Sequence, residues 1–435
     1  MRLAFLAGAS LVATLGVAHP LPAQQRQVTL EEAIRLAREK DPAVIQATGS
    51  VRTANANVLQ AKGAFLPNLS ASAGRGTSFS EGPSRVDQVT GQVISGDITS
   101  SSANLGLSSS LELFAGFRRS AQLRDANAGV DQQEANLNNQ LAQSALRVSL
   151  DFFDALSNME LIRAREASLL REQEKLRIAE ARLATRGTTI SDSLQAVVSL
   201  AEARLNLLNQ QARLATAEAN LARAIGADGR VAAISDPSLF VLGDMPDAAT
   251  LHAEATERAP SVLSTEAAVT AARARIQSSK STYWPSLSLS ASTDWSGSDR
   301  SDFTLFGSRR LNLGLSWQIF NRFGRETQVA QAQVALETAE AQAADARRQV
   351  SAQLTTQLAN LAAARERIAV TELKVRAATA NVNVQRERYR LGSVSINDLG
   401  IAQDQLNQTE EQAVSARFDY LRAKAQIEAT IGRPL

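Results

Sequence analysis

Tyr389-Arg390-Leu391-Gly392-Ser393-Val394-Ser395-Ile396-Asn397-Asp398-Leu399 is a glycine turn between two long stretches that contain no proline. Glycine just past a helix end is the expected stop, so the segment reads as the tip of a helical hairpin. The same plan stands 206 residues earlier, where Arg182 matches Arg388, Ile190 matches Ile396 and Asp192 matches Asp398, with Gly187 in the turn. The offset holds outward in both directions. Leu200 meets Leu406, Ile225-Gly226 meets Ile431-Gly432, Leu113-Phe114 meets Ile319-Phe320 and Phe117 meets Phe323. Nearer the start it becomes 218, with Pro42 and Pro67 matching Pro260 and Pro285 and Lys62 matching Lys280. The difference of 12 falls between 67–114 and 285–320. A segment that tolerates insertion is expected to hold an exposed loop.

Each copy runs in the same order. A short helix over 30–39 or 248–257 is interrupted by Pro42 or Pro260, and a second helix follows to Gly63 or Ser281. Two strands come next, then a long helix, a turn and a return helix. The expected division is a leader over 1–23, a first repeat over 24–226 and a linker over 227–247, then a second repeat over 248–435. The first repeat holds a β-hairpin over 67–114 and a helical hairpin over 119–226. The second holds the corresponding hairpins over 285–320 and 325–432. In the leader, Arg2 precedes the apolar run Leu3 to Ala18, and Leu21-Pro22-Ala23 offers a small residue at a cleavage point, which is the pattern of a secretory signal peptide.

From Arg119 to Thr185 there is no proline and one glycine, Gly129. Leu123, Val130, Leu137, Leu141, Val148 and Phe152 recur at three, four or seven, which is a coiled-coil-like seam. Alanine and small polar residues fill much of the rest, so such a helix packs on more than one side. The strand segments alternate with period two. Leu105, Leu107, Leu111 and Leu113 are separated by Gly106, Ser108, Ser110 and Glu112. Leu287, Leu289 and Ala291 alternate with serines, and Leu311, Leu313, Leu315, Trp317 and Ile319 alternate with Asn312, Gly314, Ser316 and Gln318. One face is apolar and the other polar. Strands of about ten residues cross a bilayer when tilted. Four strands cannot close a pore, so they pair between subunits or belong to a soluble sheet.

Composition narrows the chemistry. The chain has no cysteine, so it has neither disulfides nor thiol-ligated metal, and no lipid anchor on a cysteine is expected. Beyond the leader the one histidine is His252, read as a helix-surface residue. A net charge of +2 gives no case for a nucleic-acid partner. No carboxylate pair, nucleophile with its base, phosphate loop or metal cluster stands out. The chain therefore reads as no enzyme, with no cofactor and no metal.

The segment Tyr389 to Leu399 resembles the second helix-to-helix turn of the TolC family of outer-membrane efflux proteins, and Arg182 to Asp192 resembles the first. Leu113 to Arg119 and Ile319 to Arg325 resemble that family's strand-to-helix junctions. The resemblance runs from about Leu30 to Gly432. It implies a mainly α fold with two internal repeats, in which a long-helix periplasmic α-barrel joins a trimeric, 12-stranded outer-membrane β-barrel with four strands per chain. It implies a homotrimer in outer-membrane lipid, acting as a passive duct in tripartite efflux or type I secretion. The partners implied are a periplasmic adaptor and an inner-membrane pump. The competing reading is a periplasmic adaptor or helical scaffold, but adaptors carry one hairpin where this chain has two. Departures from the family pattern lie at the tips. Gly187 comes one residue later than the usual glycine, Val394 stands where a gating arginine is usual, and Leu183 replaces an aromatic.

The candidate residues follow. Asp398 and Asp192 open the return helices, where each complements a helix N-terminus or lines a ring of carboxylates at the tunnel entrance. Tyr389 either latches the tip through its hydroxyl or packs in a core. Arg186, Gly187, Thr188, Gly392, Ser393 and Val394 form the turns that the resemblance places against an adaptor. Trp284, Trp295 and Trp317 mark membrane interfaces or plain strand packing.

Overall fold

The computed structural model describes residues 26–86, 89, 91–94, 98–243, 245, 247–298 and 304–435. The leader expected over 1–23 lies outside the described residues, as do parts of the linker and of the loops at 80–99 and 297–308.

β1 (Arg26–Val28) leads into α1 (Leu30–Lys40). Asp41 ends α1, its N–H donating to the Ala37 carbonyl, and opens α2 (Pro42–Gly63) by accepting from the Ala43 N–H at 2.9 Å. Pro42 sits at the first helical position, where its missing N–H would have had no partner. β2 (Asn68–Ser80), the short β3 (Arg85–Val86) and β4 (Val93–Ile94), and β5 (Ile98–Ala115) follow. Then come α3 (Arg118–Ala184), α4 (Ile190–Ala224) and β6 (Val231–Ala233). The second copy supplies α5 (Ala248–Arg258), α6 (Pro260–Lys280), β7 (Ser286–Ser298), β8 (Phe306–Ser316), α7 (Gly324–Arg390) and α8 (Ile396–Ile431). The mainly α fold with its long helical hairpins is the one expected. α3 and α7 each run 67 residues, about 100 Å at 1.5 Å per residue. Among the described residues no helix is long and apolar enough to cross a membrane.

β2, β5, β7 and β8 form one antiparallel sheet in that order. Register places Leu107 opposite Ala71 and Thr293, and Leu289 opposite Leu111 and Leu313. Because side chains alternate along a strand, Leu69, Leu107, Leu289 and Leu311 share one face. Ser70, Ser108, Ser290 and Asn312 share the other. The alternation at 311–319 suggested a longer last strand, but β8 stops at Ser316. Its partner β7 begins at Ser286, immediately after Pro285, which has no N–H to donate to a ladder. Trp317 turns away and its indole N–H donates to the Tyr283 carbonyl at 3.2 Å.

The main core sits halfway along the hairpins. Val148, Phe152 and Leu156 of α3, Leu221 of α4, Leu354 of α7 and Phe418 and Ile427 of α8 are buried there with Leu36 of α1 and Leu251 of α5. Side chains of this size contribute about 1.5–3 kcal/mol each on full burial. β1 and β6 pair in parallel beside them, with Val28 and Val231 in the same cluster. The short elements thus belt the long helices at mid-length. The sheet lies at one end and the two tips at the other.

Candidate functional site

The tips are built by local rules. At the second, the N–H groups of Gly392 and Ser393 return to the carbonyls of Tyr389 and Arg388. Gly392 holds φ 80°, and a Cβ there would approach Arg182 Nη2 at 3.3 Å. Ser395 opens α8 in a capping box. Its Oγ accepts from the Asp398 N–H at 3.2 Å, and the Asp398 carboxylate accepts from the Ser395 N–H at 3.0 Å and from its hydroxyl at 2.7 Å. The Ser395 hydroxyl and N–H hold the Asp398 carboxyl below the usual carboxylate range, against a small opposing effect of burial. At the first tip Thr189 opens α4, accepting from the Asp192 N–H at 3.4 Å, and the Thr188 hydroxyl donates to the Asp192 carboxylate. Both aspartates stand at the third position of a return helix, Asp398 exposed and Asp192 half-buried.

The residue that joins the two tips is Arg182. Its Nη1 donates to the Tyr389 carbonyl at 2.9 Å, its Nη2 donates to the Gly187 carbonyl at 2.6 Å, and its guanidinium lies 4.7 Å from the centre of the Tyr389 ring. Tyr389 is fully buried, in a small cluster with Ile178, Ala179, Ala196, Ile396 and Leu399, against which Val394 packs. Its buried hydroxyl makes no well-formed hydrogen bond, with Thr188 and Arg182 as polar neighbours. Burial raises the phenol above its ordinary value, so it stays neutral. Tyr389 therefore engages the other tip through its ring and its carbonyl. Sequence reading noted Arg182 only as the repeat mate of Arg388, and its role depends on a helix crossing that spacing does not reveal. Arg186, Gly187, Gly392 and Ser393 are exposed, whereas Thr188 and Val394 are half-buried.

Above the tips, α3 meets α8 along a polar seam. Arg171 donates to Asn407 and Glu410 at 2.8 Å each, and Arg165 pairs with Glu411 at 2.7 Å. At the opposite end, aromatic side chains gather where the sheet passes into the long helices. Phe117 packs edge-on to Phe114 and Trp284, and Phe320 to Phe323, while Arg119 and Arg325 lie over Phe65 and Tyr283. Trp295 lies higher on the sheet, opposite Leu105 and Gly307. His252 of α5 is half-buried near the Ser351 and Thr355 hydroxyls. Among the described residues no group of three or more His, Cys, Asp or Glu side chains is placed to hold a metal.

The family model described as outer membrane efflux protein matches residues 33–227 and 251–433, one segment for each copy of the plan. The chain belongs to the outer membrane efflux protein family. It is 24% identical over 412 residues to outer membrane efflux protein BepC of Brucella suis, covering 92% of this chain and 86% of that one. The CusC structure superposes with a TM-score of 0.77 at 17% identity, covering 93% of this chain and 92% of CusC. The outer membrane protein VceC of Vibrio cholerae gives 0.72 at 16% identity, covering 93% and 96%. This member of the family is thus an outer-membrane efflux channel with a large periplasmic helical part. Its four-stranded sheet is the membrane end and its joined tips are the far end of the helices.

Proposed function

We propose that three copies of the chain form one passive duct. Three four-stranded sheets close a twelve-stranded barrel, and the helical hairpins line a tunnel across the periplasm. The observation that carries this reading is the pair of unpartnered edges. β2 and β8 end the sheet, and neither edge has a further strand among the described residues. Such edges leave unpaired backbone groups that lipid does not tolerate. The smallest membrane barrels have about eight strands, so one chain is too few and the edges pair between copies. The leucine face then meets lipid and the serine face lines the pore.

The duct takes its cargo at the tips from an inner-membrane pump, through a periplasmic adaptor that contacts Arg186, Gly187, Thr188, Gly392, Ser393 and Val394. Asp398 and Asp192 stand at the entrance, and Tyr389 belongs to the closed tip. The chain acts as a conduit without catalysis. Crosslinking in native outer membranes should give a trimer, and the purified trimer should conduct in planar bilayers. A monomer that conducts would overturn the closure argument.

A further inference from the structure

The internal duplication provides a template for contacts that one chain cannot make with itself. Where the two hairpins meet inside the chain, Ile178 of α3 is 8% exposed and Ile396 of α8 is 6% exposed, because both bury in the cluster around Tyr389. Their mates at the 206-residue offset behave in the opposite way. Val384 of α7 is 53% exposed and Ile190 of α4 is 69% exposed. The polar contact shows the same imbalance. Arg182 donates to the Tyr389 carbonyl, whereas its mate Arg388 is exposed and makes no side-chain hydrogen bond or ion pair among the described residues. The carbonyl equivalent to that of Tyr389 belongs to Leu183, which accepts only from backbone N–H groups of its own turn. The Tyr389 carbonyl has the same two kinds of backbone donor, the N–H groups of Leu391 and Gly392, and takes the Arg182 guanidinium besides, so the Leu183 carbonyl can accept a guanidinium in the same way.

We propose that Val384 and Arg388 on the flank of α7 dock onto Ile190 and Leu183 at the first tip of a second copy of this chain, repeating the seam that Ile178 and Arg182 make within one chain. The proposal rests on the trimeric reading and adds the residues that join the copies at the tips. Val384 packs on the neighbour's Ile190, and the Arg388 guanidinium donates to the neighbour's Leu183 carbonyl. Leu183 has no ring, so this seam lacks the stacked cation that Tyr389 provides for Arg182. Compensation lies higher up. Val197 and Leu205 of α4 hold the positions that Gln403 and Glu411 hold in α8, so the seam between copies is apolar where the seam within the chain is polar.

The chain has no cysteine, so engineered pairs report cleanly. The full-length double variant Val384→Cys/Ile190→Cys, purified in detergent and treated with an oxidant or a short bis-maleimide, should give covalent dimers and trimers on a denaturing gel. Ile178→Cys/Ile396→Cys should crosslink within the chain and run as a monomer. A preparation that sizes as a trimer but gives no ladder from the first pair overturns the proposal and leaves the trimer standing. A preparation of the unsubstituted protein that sizes as a monomer removes both. Should the double variant fail to assemble, single Val384→Cys in the assembled protein should react with a maleimide several-fold more slowly than single Leu391→Cys at the exposed tip. Equal rates would overturn the docking.

Discussion

Arg186 and Gly392 occupy the same left-handed turn position in the two copies, at φ 56° and 80°. They are mates at the 206-residue offset, so the backbone path of the turn is kept while its residue type is not. Gly187, one residue later, does not take the left-handed conformation. The glycine that looked displaced in the sequence is thus a neighbour of the position that needs one.

A non-glycine residue in that conformation costs about 1–2 kcal/mol, and glycine gives back about 0.5–1 kcal/mol of that through its freer unfolded chain. Arg186→Gly is therefore expected to raise stability by about 0.5–1 kcal/mol, read as an upward shift in the urea midpoint of the purified protein. Gly392→Arg should lower it, because the new Cβ presses on Arg182 as well. A loss of stability in Arg186→Gly would mean that the arginine side chain itself holds the turn.

Arg182 and Tyr389 give the second prediction. The join uses a backbone carbonyl and a ring face, so Tyr389→Phe removes neither. It also removes a buried hydroxyl without a well-formed hydrogen bond, a group whose burial is unfavourable. Tyr389→Phe should leave single-channel conductance and thermal stability unchanged or slightly raise the latter. Arg182→Ala should raise the conductance of the closed state. Opening by Tyr389→Phe with no effect of Arg182→Ala would reverse the assignment and restore the hydroxyl latch.

The long helices were legible because nothing interrupts them: α3 runs through Gly129 without a proline, and its buried Val148 and Phe152 lie on the apolar repeat that the sequence displays. The sheet was legible from period two, except at its end, where Trp317 and Ile319 continue the alternation after Pro285 has removed the partner strand. β1 and β6 were invisible because three-residue strands carry no periodicity, and their pairing joins Val28 to Ala233 across most of the first copy. At the tips, the turn residues were readable from glycine and from the duplication. The clip made by Arg182 was not, since it depends on how one hairpin crosses the other.

Asp41 supplies a test of the belt at mid-length. Burial pushes its carboxyl up, but the Ser144 hydroxyl at 2.6 Å, the Ala43 N–H and Arg147 outweigh that and hold it below the usual carboxylate range. The unfolded chain then binds this proton more readily than the folded one. The contribution of Asp41 is complete above the ordinary carboxylate value of about 4 and is lost as pH falls through the lower folded value. Asp41→Ala should cost about 1–3 kcal/mol at neutral pH from the lost cap and buried hydrogen bond. The gap between variant and parent should narrow in acid. A gap that does not change with pH would remove the charged carboxylate from the account. The repeat mate Ala259 opens α6 with no side-chain cap, so the second copy has no counterpart to this contact.

Asp398 and Asp192 allow helix capping to be separated from ion selection. Each accepts from the side chain of its own turn, so each has a structural role within one chain, and neither carboxylate is enclosed. In the proposed trimer a carboxylate at the entrance is repeated about the axis, and the ring favours cations. Asp398→Asn can still accept from the Ser395 N–H and should keep the fold. If its carboxylate lines the entrance, the variant should show lower cation preference and weaker block by polyvalent cations in single-channel recordings. Asp192→Asn should leave selectivity unchanged if the first tip faces outward, and this makes it the internal comparison. Protonation should imitate the substitution. Because Ser395 holds the Asp398 carboxyl below the usual range, cation preference should persist through mildly acidic pH and fall only below the ordinary carboxylate value of about 4. Unchanged selectivity in both variants, in a channel shown to be folded, would confine the two aspartates to their helix ends.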